Sequence, residues 1–112
     1  MIDLHSHILP GLDDGSRTVE DARALARRAA QDGVTAIAAT PHVRSDYPTR
    51  PEEMERGVLK LREDFLEHGI HVEVLHGGEL DLVALGSLDD DDLRRFSLAR
   101  SGRYLLLEFP YS

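Results

Sequence analysis

Apolar and polar positions follow two different periods along the chain. Four short segments are apolar at nearly every position or at alternate positions, which is typical of β-strands. They are the segment of Ile2 and Leu4, Val34–Ala39, Ile70–Leu75 and Arg103–Phe109. The stretches between them carry apolar residues at helical spacing or begin with helix-capping residues, so the pattern predicts strands that alternate with helices.

The first predicted helix runs from Val19 to Asp32. Thr18 is suited to cap its beginning, and Gly33 is suited to end it. Its apolar stripe consists of Val19, Ala22, Leu25, Ala26 and Ala29. Because most of these side chains are small, the helix is expected to pack closely on a sheet.

Two further helices are predicted. The second begins at Pro51, a favoured first helical residue, and ends at Gly69. Its apolar stripe consists of Met54, Val58, Leu61 and Phe65. The third is short: the acidic run Asp89–Asp92 opens it as a solvated cap, and it continues to Phe96.

This alternation of strands and helices indicates an α/β fold with about four parallel strands and right-handed crossovers. Such units form either a doubly wound sheet or a β/α barrel. In both architectures, ligands bind at the carboxyl ends of the strands.

Side chains of metal-binding types lie at or just after the ends of the predicted strands. His5 and His7 are two positions apart, so on a strand they point to the same side. Glu79 is expected in a turn that the preceding glycines permit. The candidate ligands of a divalent metal are His5, His7, Asp14, His42, Glu79 and Glu108. Because parallel strands bring these ends to one rim, the pattern predicts a metal site there.

Two alternatives to this metal site stay open at the level of sequence. His5 and His7 could be ordinary strand histidines. Glu108 lies among leucines and a phenylalanine, where a buried carboxylate requires a partner. A metal is one such partner, and an arginine is the other.

Composition narrows the function further. The chain of 112 residues, at most one domain, carries 21 acidic and 13 basic residues, a net charge of −8, which disfavours nucleic acid as a partner. It has no cysteine, which excludes a thiolate zinc site and a cysteine nucleophile. It lacks a run of about 20 apolar residues and a signal-peptide pattern, so no membrane span and a cytoplasmic location are expected.

Several motifs spread over the chain carry a resemblance to a known family. They are Met1–Gly15, Asp32–Gly33, Ala39–His42, Gly78–Leu80 and Tyr104–Pro110. The sequence resembles the PHP superfamily (polymerase and histidinol phosphatase). Within it, the sequence is most similar to the bacterial manganese-dependent protein-tyrosine phosphatases of capsule and exopolysaccharide operons.

The resemblance implies that residues 1–112 are the amino-terminal part of a distorted seven-stranded β/α barrel with up to three metals on its rim. The implied ligands are His5 and His7 for one metal, Glu79 as a bridge, Asp14 and His42 for the outlying metal, and Glu108 for another. Manganese is implied by the resemblance, whereas the residue types also admit iron, zinc or magnesium.

The implied activity is attack of a metal-bridged hydroxide on a phosphotyrosine protein, such as the regulatory tyrosine kinase of capsule synthesis. Family members are longer than this chain, and their later strands supply further metal ligands and phosphate-binding arginines. A truncated, non-catalytic metal-binding fragment is therefore an alternative, expected to form homo-oligomers or domain-swapped assemblies through its open strand edges. Another PHP phosphatase activity, such as histidinol phosphatase, is a further alternative.

Overall fold

Short parallel strands and three helices make up the part of the fold that the computed structural model describes, which comprises residues 2–3, 6, 8–9, 18–43, 49–81, 86, 88–100 and 106–108. The strands in chain order are β1 (Ile2–Asp3), β2 (Ala36–Ala38), β3 (His42–Val43), β4 (Glu73–Leu75), β5 (Glu79–Asp81) and β6 (Leu106–Glu108). They form two three-stranded parallel sheets, in the orders β1-β2-β4 and β3-β5-β6. The predicted α/β class with parallel strands is confirmed.

The same two chain segments pair in both sheets, as β2 with β4 in the first sheet and as β3 with β5 in the second. The register of the pairing is the same in both. In the first sheet, Ala36 lies opposite Glu73. In the second sheet, His42 lies opposite Glu79, which is the same offset between the two segments. The Ala39 N–H donates to Leu75 O at 2.8 Å across the junction. Two adjoining segments therefore pair twice, with a short irregular stretch between the pairings.

The predicted four parallel segments are confirmed, but two of them each form two strands instead of one. Val34–Ala39 and Ile70–Leu75 are each followed, after a few residues, by a second short strand that the hydrophobic pattern did not reveal. Glu79, expected in a turn, is the first residue of β5. These additional strands contain polar residues and depend on pairing between distant segments, whereas hydrophobic periodicity records only local pattern.

The helices agree closely with the sequence pattern. They are α1 (Val19–Gln31), α2 (Pro51–Glu67) and α3 (Asp90–Phe96), followed by a 3₁₀ turn at Leu98–Arg100. Thr18 caps α1 in a reciprocal capping box with Asp21. Gly33 and Gly69 follow α1 and α2 with φ values of +86° and +67°, a backbone conformation that favours glycine. No helix within the described ranges is long and apolar enough to cross a membrane.

The apolar face of α2 packs into the core as predicted. Met54, Val58, Leu61 and Phe65 are all buried. On α1, Ala22 and Ala26 are buried, but Leu25 is 40 % exposed, so the predicted stripe is narrower than expected. Arg23 of α1 donates two hydrogen bonds to Asp64 of α2, at 2.7 and 2.6 Å, which ties the two helices together.

Helix α3 is fixed to α2 by an arginine that lies beside a buried aromatic residue. Arg95 donates to both carboxylate oxygens of Glu55, at 3.0 and 2.6 Å, and to Glu52 at 3.0 Å. The next residue, Phe96, is fully buried. The predicted solvated cap is confirmed for Asp89, which is exposed and accepts a hydrogen bond from the backbone N–H of Asp92 at 2.8 Å. Asp92 itself is half-buried, and this burial raises the pKa of its carboxyl group.

Candidate metal centre

His42 and Glu79 come together at the beginning of the second sheet. Both begin strands, and their backbones lie opposite each other where β3 pairs with β5. The Glu79 N–H donates to Pro41 O at 2.9 Å, which continues the parallel pairing just before His42. Residues paired in a parallel sheet present their side chains on one face. The Nδ1 atom of His42 and the Oε2 atom of Glu79 are consequently 3.0 Å apart.

Both side chains of this pair are withdrawn from solvent. His42 is 6 % exposed and Glu79 is 8 % exposed. A carboxylate in such surroundings is costly unless a cation or several hydrogen bonds compensate its charge. A protonated imidazole or a metal ion bound between the two groups would supply that positive charge.

The donor pair fits a divalent cation. One imidazole nitrogen and one carboxylate oxygen are ligands that manganese, iron, zinc and magnesium accept. Two ligand atoms that lie about 2.1 Å from one ion, at a right angle, are about 3 Å apart. The observed separation of 3.0 Å between Nδ1 and Oε2 matches this value. Among the residues that the structure describes, no group of three or more such ligands is brought together.

The glycines before Glu79 are required by close packing. A Cβ atom on Gly77 would lie 3.0 Å from Ala39 O and 3.0 Å from Thr40 Cγ2. A Cβ atom on Gly78 would lie 2.6 Å from Phe96 Cδ1. Neither residue has a positive φ. The glycines therefore let the chain enter β5 between the first sheet and α3, which corrects the expectation that they form a turn.

The remaining predicted ligands are described only in part. His5, His7 and Asp14 lie outside the described residues. The backbone of Glu108 is described: it ends β6 and lies opposite Asp81 of β5. The assignment of these four residues to a metal stays a prediction.

Two residues of this region were missed by sequence reasoning. Asp81 follows Glu79 by two positions on β5, so both positions lie on one face of the strand. The Glu-x-Asp spacing was the available signal, but it is informative only once the segment is known to be a strand. Thr40 is 2 % exposed and contacts Ser6, and no signal in the sequence indicates that contact.

Comparison with known proteins connects this geometry to a family. The model of a protein family described as "Capsular polysaccharide synthesis, CpsB/CapC" matches residues 1–112. The chain belongs to the CpsB/CapC family. The resemblance drawn from the motifs is thereby confirmed.

Relatives of this chain are named tyrosine-protein phosphatases. The chain is 34 % identical to the tyrosine-protein phosphatase YwqE of Bacillus subtilis over 113 residues, which covers 99 % of this chain and 44 % of YwqE. It is 32 % identical to the tyrosine-protein phosphatase CpsB of Streptococcus pneumoniae, covering 97 % of this chain and 45 % of CpsB. The chain thus spans less than half the length of these relatives.

A solved structure from this family has the same fold. It comes from the crystal structures of YwqE and CpsB, which are described as unique metal-dependent tyrosine phosphatases. The TM-score is 0.86 at 34 % identity, and the match covers 99 % of this chain and 45 % of the solved chain. The partial barrel that the sequence predicted agrees with this match.

Proposed function

We propose that residues 1–112 form the amino-terminal part of a PHP-type domain and supply ligands to the metal site of a protein-tyrosine phosphatase. The observation that carries this proposal is the buried pair of His42 and Glu79, with ligand atoms 3.0 Å apart. The naming of relatives as tyrosine phosphatases supports the reaction. The description of the solved relatives as metal-dependent supports the need for a cation.

The proposed ligands are His5, His7, Asp14, His42, Glu79 and Glu108. When bound, divalent cations lower the pKa of water toward neutrality and stabilise negative charge on phosphate oxygens. In the described part of the chain, Nδ1 of His42 and Oε2 of Glu79 would hold a cation. Their burial limits competing water, and the pairing of β3 with β5 fixes the distance between them. Residues 1–112 contain no cysteine, so this part of the domain contributes metal ligands and no cysteine nucleophile.

The metal, the substrate and the location that we propose follow from the resemblance to the protein-tyrosine phosphatases of capsule operons. The metal is manganese, and the substrate is a phosphotyrosine protein, such as the regulatory tyrosine kinase of capsule synthesis. The location is the cytoplasm. The names of the relatives support a phosphotyrosine substrate, and the match to a capsular polysaccharide synthesis family supports the link to capsule synthesis.

Metal binding is tested first, on the full chain, by isothermal titration calorimetry with manganese alone. Replacing Glu79→Gln or His42→Ala removes one ligand. Losing a residue that only supports a metal ligand lowers metal affinity by about 10- to 100-fold. Losing a ligand itself is expected to lower manganese affinity by at least this much. His71→Ala is the matched control, since His71 is exposed and lies before β4. Equal manganese affinity in the unchanged chain, the two ligand variants and His71→Ala would contradict a site at His42 and Glu79.

Phosphatase activity is tested in a fusion, because the chain covers 44 % of YwqE. Residues 1–112 replace the matching part of YwqE, and hydrolysis of p-nitrophenyl phosphate and of a phosphotyrosine peptide is measured with manganese. We expect activity that a chelator removes and that Glu79→Gln abolishes. An active fusion that is insensitive to both the chelator and Glu79→Gln would refute the assigned role.

A second candidate function is non-catalytic metal binding by a self-associating chain. The observation that favours it is that, among the residues that the structure describes, no group of three or more metal-ligating side chains comes together. In that case the full chain binds manganese and forms dimers or larger assemblies in light scattering, but hydrolyses neither substrate. A monomer would count against self-association, and hydrolysis by the chain alone would count against the non-catalytic alternative.

A further inference from the structure

Thr40 holds both backbone groups of Ser6. Its Oγ1 atom accepts a hydrogen bond from the Ser6 N–H at 2.9 Å and donates one to Ser6 O at 3.0 Å. The Thr40 N–H donates to the same oxygen at 2.7 Å. The Ser6 hydroxyl in turn donates to Ala38 O at 2.8 Å. Because Thr40 is 2 % exposed, water cannot readily replace these bonds.

The other side of Thr40 contacts the segment that leads to Glu79. A Cβ atom on Gly77 would lie 3.0 Å from the Thr40 methyl carbon, Cγ2, so the Gly77 backbone passes directly against that methyl group. Gly77 precedes Glu79 by two residues. Thr40 precedes His42 by two residues, and β3 pairs with β5 immediately beyond.

Three adjoining chain segments therefore bring Ser6, Thr40 and Gly77 side by side, at one level along the strand direction. The level agrees with the register of the first sheet, in which Asp3 lies opposite Ile37 and Ala38 lies opposite Leu75. Each segment carries proposed ligands within two residues of this level. They are His5 and His7 beside Ser6, His42 after Thr40, and Glu79 after Gly77.

We infer that Thr40 is a positioning residue of the proposed metal site: its hydroxyl fixes Ser6, between His5 and His7, relative to His42 and Glu79. This inference rests on the proposed function, since it assumes that these residues bind metal. The hydroxyl is the specific requirement. Valine has nearly the same shape but neither accepts from nor donates to the Ser6 backbone, whereas serine keeps the hydroxyl and loses only the methyl contact with Gly77.

The test compares Thr40→Val, Thr40→Ser and the unchanged full chain, with Thr49→Val as the matched control. Thr49 is also a buried threonine, 7 % exposed, and lies before α2 rather than beside Ser6. Two quantities are measured: manganese affinity by calorimetry, and hydrogen exchange of the Ser6 amide by NMR in the metal-free chain. Circular dichroism checks that each variant is folded.

Thr40→Val is expected to weaken manganese binding by about 10- to 100-fold, the cost of losing a residue that orients ligands. It is also expected to speed exchange of the Ser6 amide by about tenfold, the order of one net hydrogen bond. Thr40→Ser and Thr49→Val are expected to stay close to the unchanged chain in both measurements. A purely structural role of the hydroxyl would separate valine from serine in the exchange of the Ser6 amide but not in manganese affinity.

Unchanged manganese affinity in a folded Thr40→Val chain would overturn the inference. A loss in Thr40→Ser as large as in Thr40→Val would also overturn it, because the hydroxyl would then not be the requirement. If Thr40→Val does not fold, Thr40→Ser decides: near-normal affinity supports the inference, and a tenfold loss overturns it. Failure of the unchanged chain to bind manganese is a different result, which refutes the proposed function itself.

Discussion

The entry of the chain into β5 should not tolerate a methyl group at Gly78. The Cβ atom of Gly78→Ala would lie 2.6 Å from Cδ1, 3.1 Å from Cγ and 3.3 Å from Cβ of Phe96. These atoms are at the base of the ring, so a small rotation of the side chain does not move all of them away. Phe96 is also fully buried, and Arg95 beside it is anchored to α2. Backbone or helix must therefore shift.

The expected cost follows from overpacking. Extra methyl groups forced into a packed core cost about 1–3 kcal/mol, and this site belongs in the upper half of that range because the clash involves a fixed ring and a backbone. Gly78→Ala is therefore expected to destabilise the chain by about 2–3 kcal/mol. Urea denaturation followed by circular dichroism measures this as a lower midpoint with an unchanged slope.

Two comparisons test the reasoning. Gly57→Ala makes the same change within α2, where the nearest atom is a terminal methyl carbon of Leu9 at 3.3 Å. Since alanine favours a helix interior by up to about 1 kcal/mol over glycine, this variant is expected to be neutral or more stable. In the background of Phe96→Leu, the cost of Gly78→Ala should fall by about 0.5–3 kcal/mol, as contacting residues couple. If Gly78→Ala costs no stability, or costs the same in both backgrounds, a clash with Phe96 is not the cause.

Three other predictions concern the helices and are checked by denaturation. Thr18→Ala removes the side-chain cap of α1 and should cost about 1 kcal/mol in free energy of unfolding; no loss would mean that the capping box does not form in solution. Arg23 holds the pKa of Asp64 below its ordinary value of 3.8. The stabilisation is therefore full above about pH 5 and is lost as pH falls, so the stability gap between the unchanged chain and Asp64→Asn should narrow toward about pH 3. A gap that widens on acidification would contradict the ion pair. Leu66 is 84 % exposed, so Leu66→Gln should change stability by less than about 0.5 kcal/mol, and a larger loss would indicate that something covers it.

The sequence by itself determined the helices and the fold class. Helix ends are set by local chemistry, which is why Thr18 and Gly33 were identified without a structure. The stripe of α2 was identified for the same reason, because its spacing of three and four residues is a property of one helix. The motifs of the chain likewise indicated the family that the comparison confirmed.

Only the tertiary structure decided how the strands continue and what meets at the site. The polar residues at 42 and 79 give no local sign of being strands, yet each lies opposite the other because β2 and β4 have already set the register. The contact between Thr40 and Ser6 likewise joins positions far apart in the chain. The hydrophobic pattern within a segment indicates whether it is a helix or a strand and which of its faces is buried. The distance between two segments depends on how their backbones pair, and that pairing is a property of the folded chain.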